Sequence, residues 1–383
     1  MASPTDILRS AFEQVSSDVN KPIITHPDVA NRIEAVCRSV GNGACVRVLL
    51  ACSLAKIHKP DVDIRKPYTE IGDVDAYGGR GYDEKYLSLF LREHGLPCNS
   101  TTGFLTPAFR NIATTLTPEL NMVGRPTPIY KAFLQILTDI YEGKASAEDV
   151  LAETMRRLLL IKNEQLEHMN AWIAKLKASA SMIPLSSEDI VTLIEQHLKS
   201  PNSSRLPVLV VAAMYDAAKA YLGERALPLE AHHAADKQTG SPGDILITLV
   251  GDDNVVTVYE MKAKRVIQND IDSALQKIDR RIDNYIIITT EDIDEQVRKY
   301  ASSVYAQTRG IEVVVLDCLG FMRHFLHLFH RIRVQFLEAY QRLLLAEPES
   351  AVRQSLKESF LALRIATETA YISDEGSSEP DIP

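Results

Sequence analysis

The chain has 383 residues, is 45% hydrophobic and 7% aromatic, and sets 42 Lys and Arg against 51 Asp and Glu, for a formal charge of −9. At roughly 150 residues per domain this predicts two or three domains with ample core, and the ordinary charged and aromatic fractions exclude wholesale disorder and fibrous architectures. No apolar run approaches the roughly 20 residues that span a bilayer, so no membrane partner is expected, and the acidic total by itself counts against nucleic acid.

The opening residues carry Asp6 and Glu13 where a signal peptide needs a basic flank and an apolar stretch, which makes a soluble, cytoplasmic protein the expectation. Residues 1–60 read as helices, with apolar positions recurring at three and four in stretches such as 36–56. Between Pro60 and Pro128, Gly and Pro interrupt regular structure about every ten residues, and only 83–94 reads as a helix. Loops this long inside a compact domain usually serve a function. Helices return over 129–199, where Ser146 and Ser186 stand as caps ahead of Glu148-Asp149 and Glu188-Asp189. Pro201-Asn202-Ser203-Ser204 is the clearest break, closing a helical, loop-bearing region over 1–200.

An apolar helix over 206–222 follows, and then the texture changes to strands. DILITLV (244–250) and VVTVYEMK (255–262) flank a four-residue hairpin loop, 251–254. A helix (270–281), an apolar strand (285–289), a helix (293–308), a further apolar strand (312–316) and a long helix from 319 to about 345 complete the pattern. Short, nearly all-apolar strands between helices predict a sheet covered on both faces, hence an α/β domain over 201–345. Residues 346–383 read as a terminal helix and, from Asp374, an acidic Ser-, Gly- and Pro-bearing tail expected to be disordered.

The chemistry concentrates at one end of the hairpin. Asp244 opens its first strand, and Glu260 and Lys262 close its second. Side chains alternate along a strand, so Glu260, Lys262 and Lys264 project to one side, and folding the hairpin about 251–254 brings Asp244 beside Glu260 and Lys262. Two carboxylates that close repel unless a cation neutralises them, and hard oxygen ligands with open positions suit Mg²⁺. A metal so held lowers the pKa of a bound water and polarises a phosphoryl oxygen, while a Lys one pleat on can orient that water or offset transition-state charge. A charged cluster at the open end of two otherwise apolar strands stands out against the burial pattern, although an E-x-K on paired strands is often no more than a solvated, salt-bridged face.

This arrangement resembles the PD-(D/E)xK nuclease superfamily, whose core is a helix, a hairpin carrying Asp and Glu-x-Lys, then helix and strand. Glu260-Met261-Lys262 matches the second motif, and the first is degenerate, with Gly243 before Asp244 and Pro242 one earlier. The resemblance covers residues 206–316. It implies that Asp244 and Glu260 bind Mg²⁺, that Lys262 assists the attacking water, and that a further acidic residue, Glu224 or Glu230, can join the metal. It also implies a central mixed sheet flanked by helices, preceded by a mainly helical N-terminal region.

That N-terminal region resembles stretches of type II restriction endonucleases at Asp63-Ile64-Arg65-Lys66-Pro67-Tyr68, Gly79-Arg80-Gly81-Tyr82-Asp83-Glu84, Leu96-Pro97-Cys98-Asn99 and Thr106-Pro107-Ala108-Phe109-Arg110-Asn111. Lys66, Arg80, Tyr82, Arg110 and Arg125 there, with Lys264 and Arg265 beyond the hairpin, are the candidate contacts to phosphates and base edges, against the alternative that they are turn and cap residues of an irregular domain. The expectation is a Mg²⁺-dependent, sequence-specific endonuclease for double-stranded DNA, leaving a 5′-phosphate and a 3′-hydroxyl as the resemblance implies. A two-fold DNA site would call for a homodimer. A repair or recombination nuclease, the nuclease subunit of a defence system, and a DNA-binding module with an inactive nuclease core are the alternatives.

Other signals are weaker. His324, His327 and His330 drift around a helix whose apolar stripe is Phe325, Phe329, Ile332 and Phe336, so they read as a basic edge rather than a zinc site. His232-His233 has no second ligand pair. Gly78-Gly79-Arg80-Gly81 lacks the G-K-[ST] ending of a phosphate loop and follows no apolar strand, so no nucleotide cofactor is expected. The five cysteines, without C-x-x-C, read as buried small hydrophobes rather than a disulfide framework.

Overall fold

A computed structural model describes residues 2–39, 43–99, 101–122, 124, 126–179, 184–229, 242–252, 254–278, 282–349 and 351–375. The chain divides into two compact units, Met1–His168 and Met169–Pro383.

The first unit is helical. In α1 (Pro4–Ser17) Ser3 and Asp6 cap one another reciprocally, and α2 (Pro27–Cys37) begins on a proline with no N–H to leave unpaired. Helix α3 (Gly43–His58) is buried around its whole circumference, with every residue from Ala44 to Ala55 inside, which makes it the centre of this unit's core. The Gly- and Pro-rich stretch that follows holds one continuous helical run, α4 (Gly79–Tyr82), a π turn (Asp83–Leu87) and α5 (Ser88–Glu93), with short 3-10 turns at Thr69–Ile71 and Gly103–Leu105. Helix α6 (Thr127–Tyr141) and the first part of α7 (Ala147–Ser179) close the core.

Arg47 of α3 ties the loops to this core. It is 1% exposed, and its Nε donates to Asp83 Oδ1 at 2.6 Å. The other Asp83 oxygen accepts from the Thr102 hydroxyl at 2.7 Å and the Gly103 N–H at 3.1 Å. The irregular chain is thus held by satisfied buried polar groups where regular ladders are lacking.

The second unit is α/β. After the remainder of α7 come α8 (Ser187–Leu198), α9 (Leu206–Leu222), β1 (Glu224–Ala226), β2 (Ile245–Leu249), β3 (Val255–Lys262), α10 (Gln268–Leu275), β4 (Asn284–Thr289), α11 (Glu295–Thr308), β5 (Glu312–Asp317), α12 (Cys318–Leu328), α13 (Arg333–Ala346) and α14 (Gln354–Glu375). The strands form one mixed sheet in the order β1-β2-β3-β4-β5, antiparallel from β1 to β3 and parallel from β3 to β5. Helices cover both faces. Ile245, Ile247, Tyr259, Ile286 and Ile288 pack with α9, α12 and α13, whereas Val258, Tyr285, Ile287, Val313 and Val315 pack with α10 and α11. Alternation along β3 therefore assigns Tyr259 to one face and Glu260 to the other.

The differences from the sequence reading have local causes. Strand β1 is Glu-Arg-Ala, with no strand pattern of its own; it exists because the β2 edge pairs with it. The single helix over 319–345 is broken at Phe329, whose φ of −110° and ψ of 42° end α12 before a 3-10 turn leads into α13. The break lets α12 pack on α8 while α13 runs along α9. The Pro201–Ser204 break is a turn within the second unit, because α8 packs on α12, α13 and α14 and shares their core. The last helix extends through Asp374 to Glu375; residues 376–383 of the expected tail lie outside the described residues. All five cysteines are free thiols, and among the described residues no helix is long and apolar enough to cross a membrane.

Candidate active site

The hairpin end of β2 and β3 carries the site. Ile245 pairs with Tyr259, and the Asp244 N–H also donates to Tyr259 O at 2.8 Å, which holds Asp244 against the Tyr259–Met261 end of β3. A bulge between Ile247 and Thr248 shifts the pairing by one residue, from Thr248 with Val255 on the loop side to Ile247 with Thr257, so the register at the site end depends on it. Gly243 is required here by close approach: a Cβ at this position would meet the Val258 side chain and lie 2.7 Å from Tyr259 O. The residue preceding Asp244 is glycine because β3 runs directly against it.

Each carboxylate is held. Asp244 Oδ2 accepts the Met261 N–H at 2.6 Å, where a backbone carbonyl would otherwise continue the ladder. Glu260 is 7% exposed. Its Oε1 lies 2.6 Å from Lys262 Nζ and 3.6 Å from Lys277 Nζ, and its Oε2 lies 3.3 Å from the Tyr285 hydroxyl. Tyr285 is fully buried on β4, and its hydroxyl is also 3.0 Å from Pro242 O, so it spans from the turn before Asp244 to Glu260. A carboxylate this buried needs counter-charge, and two ammonium groups supply it.

A divalent cation fits this donor set. Asp244 and Glu260 would hold it as hard oxygen ligands, leaving positions for water, as Mg²⁺ prefers. Among the described residues no third His, Cys, Asp or Glu joins them. Glu224 does not come near them: it pairs with Leu249 at the loop end of the hairpin and sits beside Tyr215 and Tyr259, on the opposite face from Glu260. Glu230 and His232-His233 lie outside the described residues.

Beyond β3 the cations are engaged with carboxylates. Lys264 Nζ lies 2.9 Å from Asp270 in the first turn of α10. Burial alone would raise the Asp270 carboxyl, but Lys264 and the Ile267 N–H outweigh it and hold the pKa below its ordinary value. Arg265 pairs with Asp294.

The N-terminal candidates belong to the first unit and show the same habit. Lys66 lies 2.8 Å from both Asp73 and Asp75, Arg80 lies 2.7 Å from Glu84, and the Tyr82 hydroxyl lies 2.8 Å from His58 Nδ1. Arg65 bonds Asp63 at 2.7 Å and stacks 3.3 Å over the Tyr141 ring. Arg110 is exposed, and Arg125 lies outside the described residues. Of the three histidines on α12 and the turn after it, all are exposed and His327 pairs with Glu188 at 2.8 Å, as a solvated basic edge does.

Sequence reasoning missed Tyr285 and Lys277. Tyr285 reads as one more apolar residue of a buried strand, because no pattern within β4 tells how it registers against β3. Lys277 reads as helix surface. The observed pairing of Val258 with Tyr285 puts the phenol two residues from Glu260 on the same face. No protein-family model matches this chain, and no curated protein matches it either.

Proposed function

We propose that the chain is a Mg²⁺-dependent endonuclease for double-stranded DNA, of the type II restriction kind, with a PD-(D/E)xK core in its second unit. The observation that carries the reading is Asp244 bonded to the Met261 N–H, next in the chain to Glu260, with Lys262 bonded to Glu260. It is supported by the order of elements, in which a helix (α9) precedes the hairpin and a helix and strand (α10, β4) follow it. An α/β sheet flanked by helices gives the site a rigid base.

In this reading Asp244 and Glu260 would hold the metal, which when bound would supply an activated water and polarise a phosphoryl oxygen. Asp244 is fixed by the Met261 N–H and Glu260 by the Tyr285 hydroxyl, so neither carboxylate has to be reoriented. Lys262 holds a proton at Nζ, where it orients the attacking water and offsets charge at phosphorus.

The test is digestion of a large plasmid. Wild-type protein should yield discrete bands only with Mg²⁺ or Mn²⁺. Asp244→Ala and Glu260→Ala should each cut at least about 100-fold more slowly while still binding duplex, a larger loss than an outer partner of a metal ligand causes. If both variants and Lys262→Ala cut like wild type, the site assignment fails. A second reading, a DNA-binding module with an inactive core, is favoured by the lysine pairing that already neutralises Glu260; it predicts duplex binding without cleavage of any sequence.

A further inference from the structure

The nuclease reading uses one lysine, yet two reach Glu260. Lys277 lies just past the C-terminus of α10, an element separate from the hairpin, and its Nζ is 3.6 Å from the same Oε1 that Lys262 contacts at 2.6 Å. Its side chain is 32% exposed while that of Glu260 is 9% exposed. The ammonium is therefore the more accessible of the two groups.

We propose that Lys277 is a phosphate-contacting residue whose resting partner is Glu260. In the metal-free protein it shares Glu260 Oε1 with Lys262 and competes with a divalent cation for that oxygen. Once the cation takes the oxygen, two ammonium groups face an anionic phosphodiester oxygen instead of a carboxylate, and Lys277 contacts it. No covalent step is involved: one ion pair is exchanged for another. Metal entry and substrate docking are thereby coupled, because each phosphate contact made by Lys277 removes a competitor from the metal. This inference rests on the metal-dependent nuclease reading, and it assigns to that site a residue the Glu-x-Lys motif does not contain.

The test uses the full-length protein and two readouts. Mn²⁺ binding, followed by calorimetry or by the paramagnetic resonance of free Mn²⁺, should tighten about three- to fivefold in Lys277→Met, the gain expected from removing a partly exposed ion pair. Lys277→Arg should bind Mn²⁺ like wild type, and Lys219→Met, which loses only the pair with Asp216 on α9, should not change it. Cleavage of supercoiled plasmid should slow on the order of 10- to 100-fold in Lys277→Met at saturating Mg²⁺ and recover largely in Lys277→Arg. A purely structural role would weaken metal binding and cleavage together; the proposal demands opposite changes. Unaltered Mn²⁺ affinity in Lys277→Met overturns the competition, and unaltered cleavage overturns the phosphate contact. If wild-type protein binds Mn²⁺ and Lys277→Met binds it more tightly while neither cuts any DNA, the nuclease reading fails and the Glu260 competition stands.

Discussion

Two buried polar residues outside the candidate site decide stability in opposite ways. Asp83 is fully buried and satisfies Arg47, Thr102 and Gly103 at once. Asp83→Leu would leave the Arg47 guanidinium, 1% exposed, without its counter-ion; the expected loss is about 3–5 kcal/mol, read as a shift in urea denaturation. His197 is buried and held neutral. Its Nε2 donates to Leu356 O at 2.9 Å, which leaves Nδ1 to accept from the Tyr340 hydroxyl, also at 2.9 Å. Burial lowers its pKa from 6.5 to about 4. The unfolded chain therefore binds the proton more readily than the folded one below pH 6.5, so this contribution is fully present above that pH and is lost as pH falls toward 4. Between pH 7 and pH 5 the wild type should lose about 2 kcal/mol from this group, and His197→Gln, which still donates to Leu356 O, should lose that much less over the same interval.

At the scale of elements, the hairpin is the structure on which the site depends. Its pairing was legible in outline from the strand pattern, since apolar alternation and a turn near 251–254 bring Asp244 to the Glu260–Lys262 end of β3, whereas the bulge that sets the register was not. Nor was its tightness. Gly243 lies so close to β3 that Gly243→Ala should force the turn away from Tyr259 O, costing about 1–3 kcal/mol as overpacking does. Asp244 would lose its bond to the Met261 N–H in the same movement. The expected result is a protein that folds, melts at lower temperature and binds Mn²⁺ more weakly than wild type, measured by thermal denaturation and metal titration. Helices α12 and α13 make the complementary point. Their sequence is a continuous helical pattern, and the break at Phe329 goes with α12 packing mainly on α8 and α13 mainly on α9.

At the scale of the molecule, several basic side chains of this acidic chain, of net charge −9, stand in ion pairs. Lys66 with Asp73 and Asp75, Arg80 with Glu84, Lys264 with Asp270 and Arg265 with Asp294 all keep cations occupied. In the DNA-binding reading a phosphate must compete with these carboxylates, so binding to arbitrary duplex should be weak and salt-sensitive. Freeing one cation tests this. Asp73→Asn with Asp75→Asn should tighten binding to a random-sequence duplex roughly three- to tenfold at low salt, with the gain vanishing by about 0.5 M salt, measured by fluorescence anisotropy. No gain at low salt would mean that Lys66 serves the loop alone.

The sequence by itself determined the elements whose signal is local: the capped helices, the apolar strands and the hairpin that brings Asp244 to the Glu260 end of β3. It did so because periodicity, caps and turns act within a few residues of one another. Only the tertiary structure decided which strands pair across long connections, and so which residues complete the cluster. Tyr285 reaches Glu260 through the parallel pairing of β3 with β4, Lys277 reaches it from beyond α10, and Glu224 is kept from it by pairing with the far end of β2. These contacts are set by side chains packing between sheet and helices, a condition on volumes and registers that no short stretch of sequence expresses.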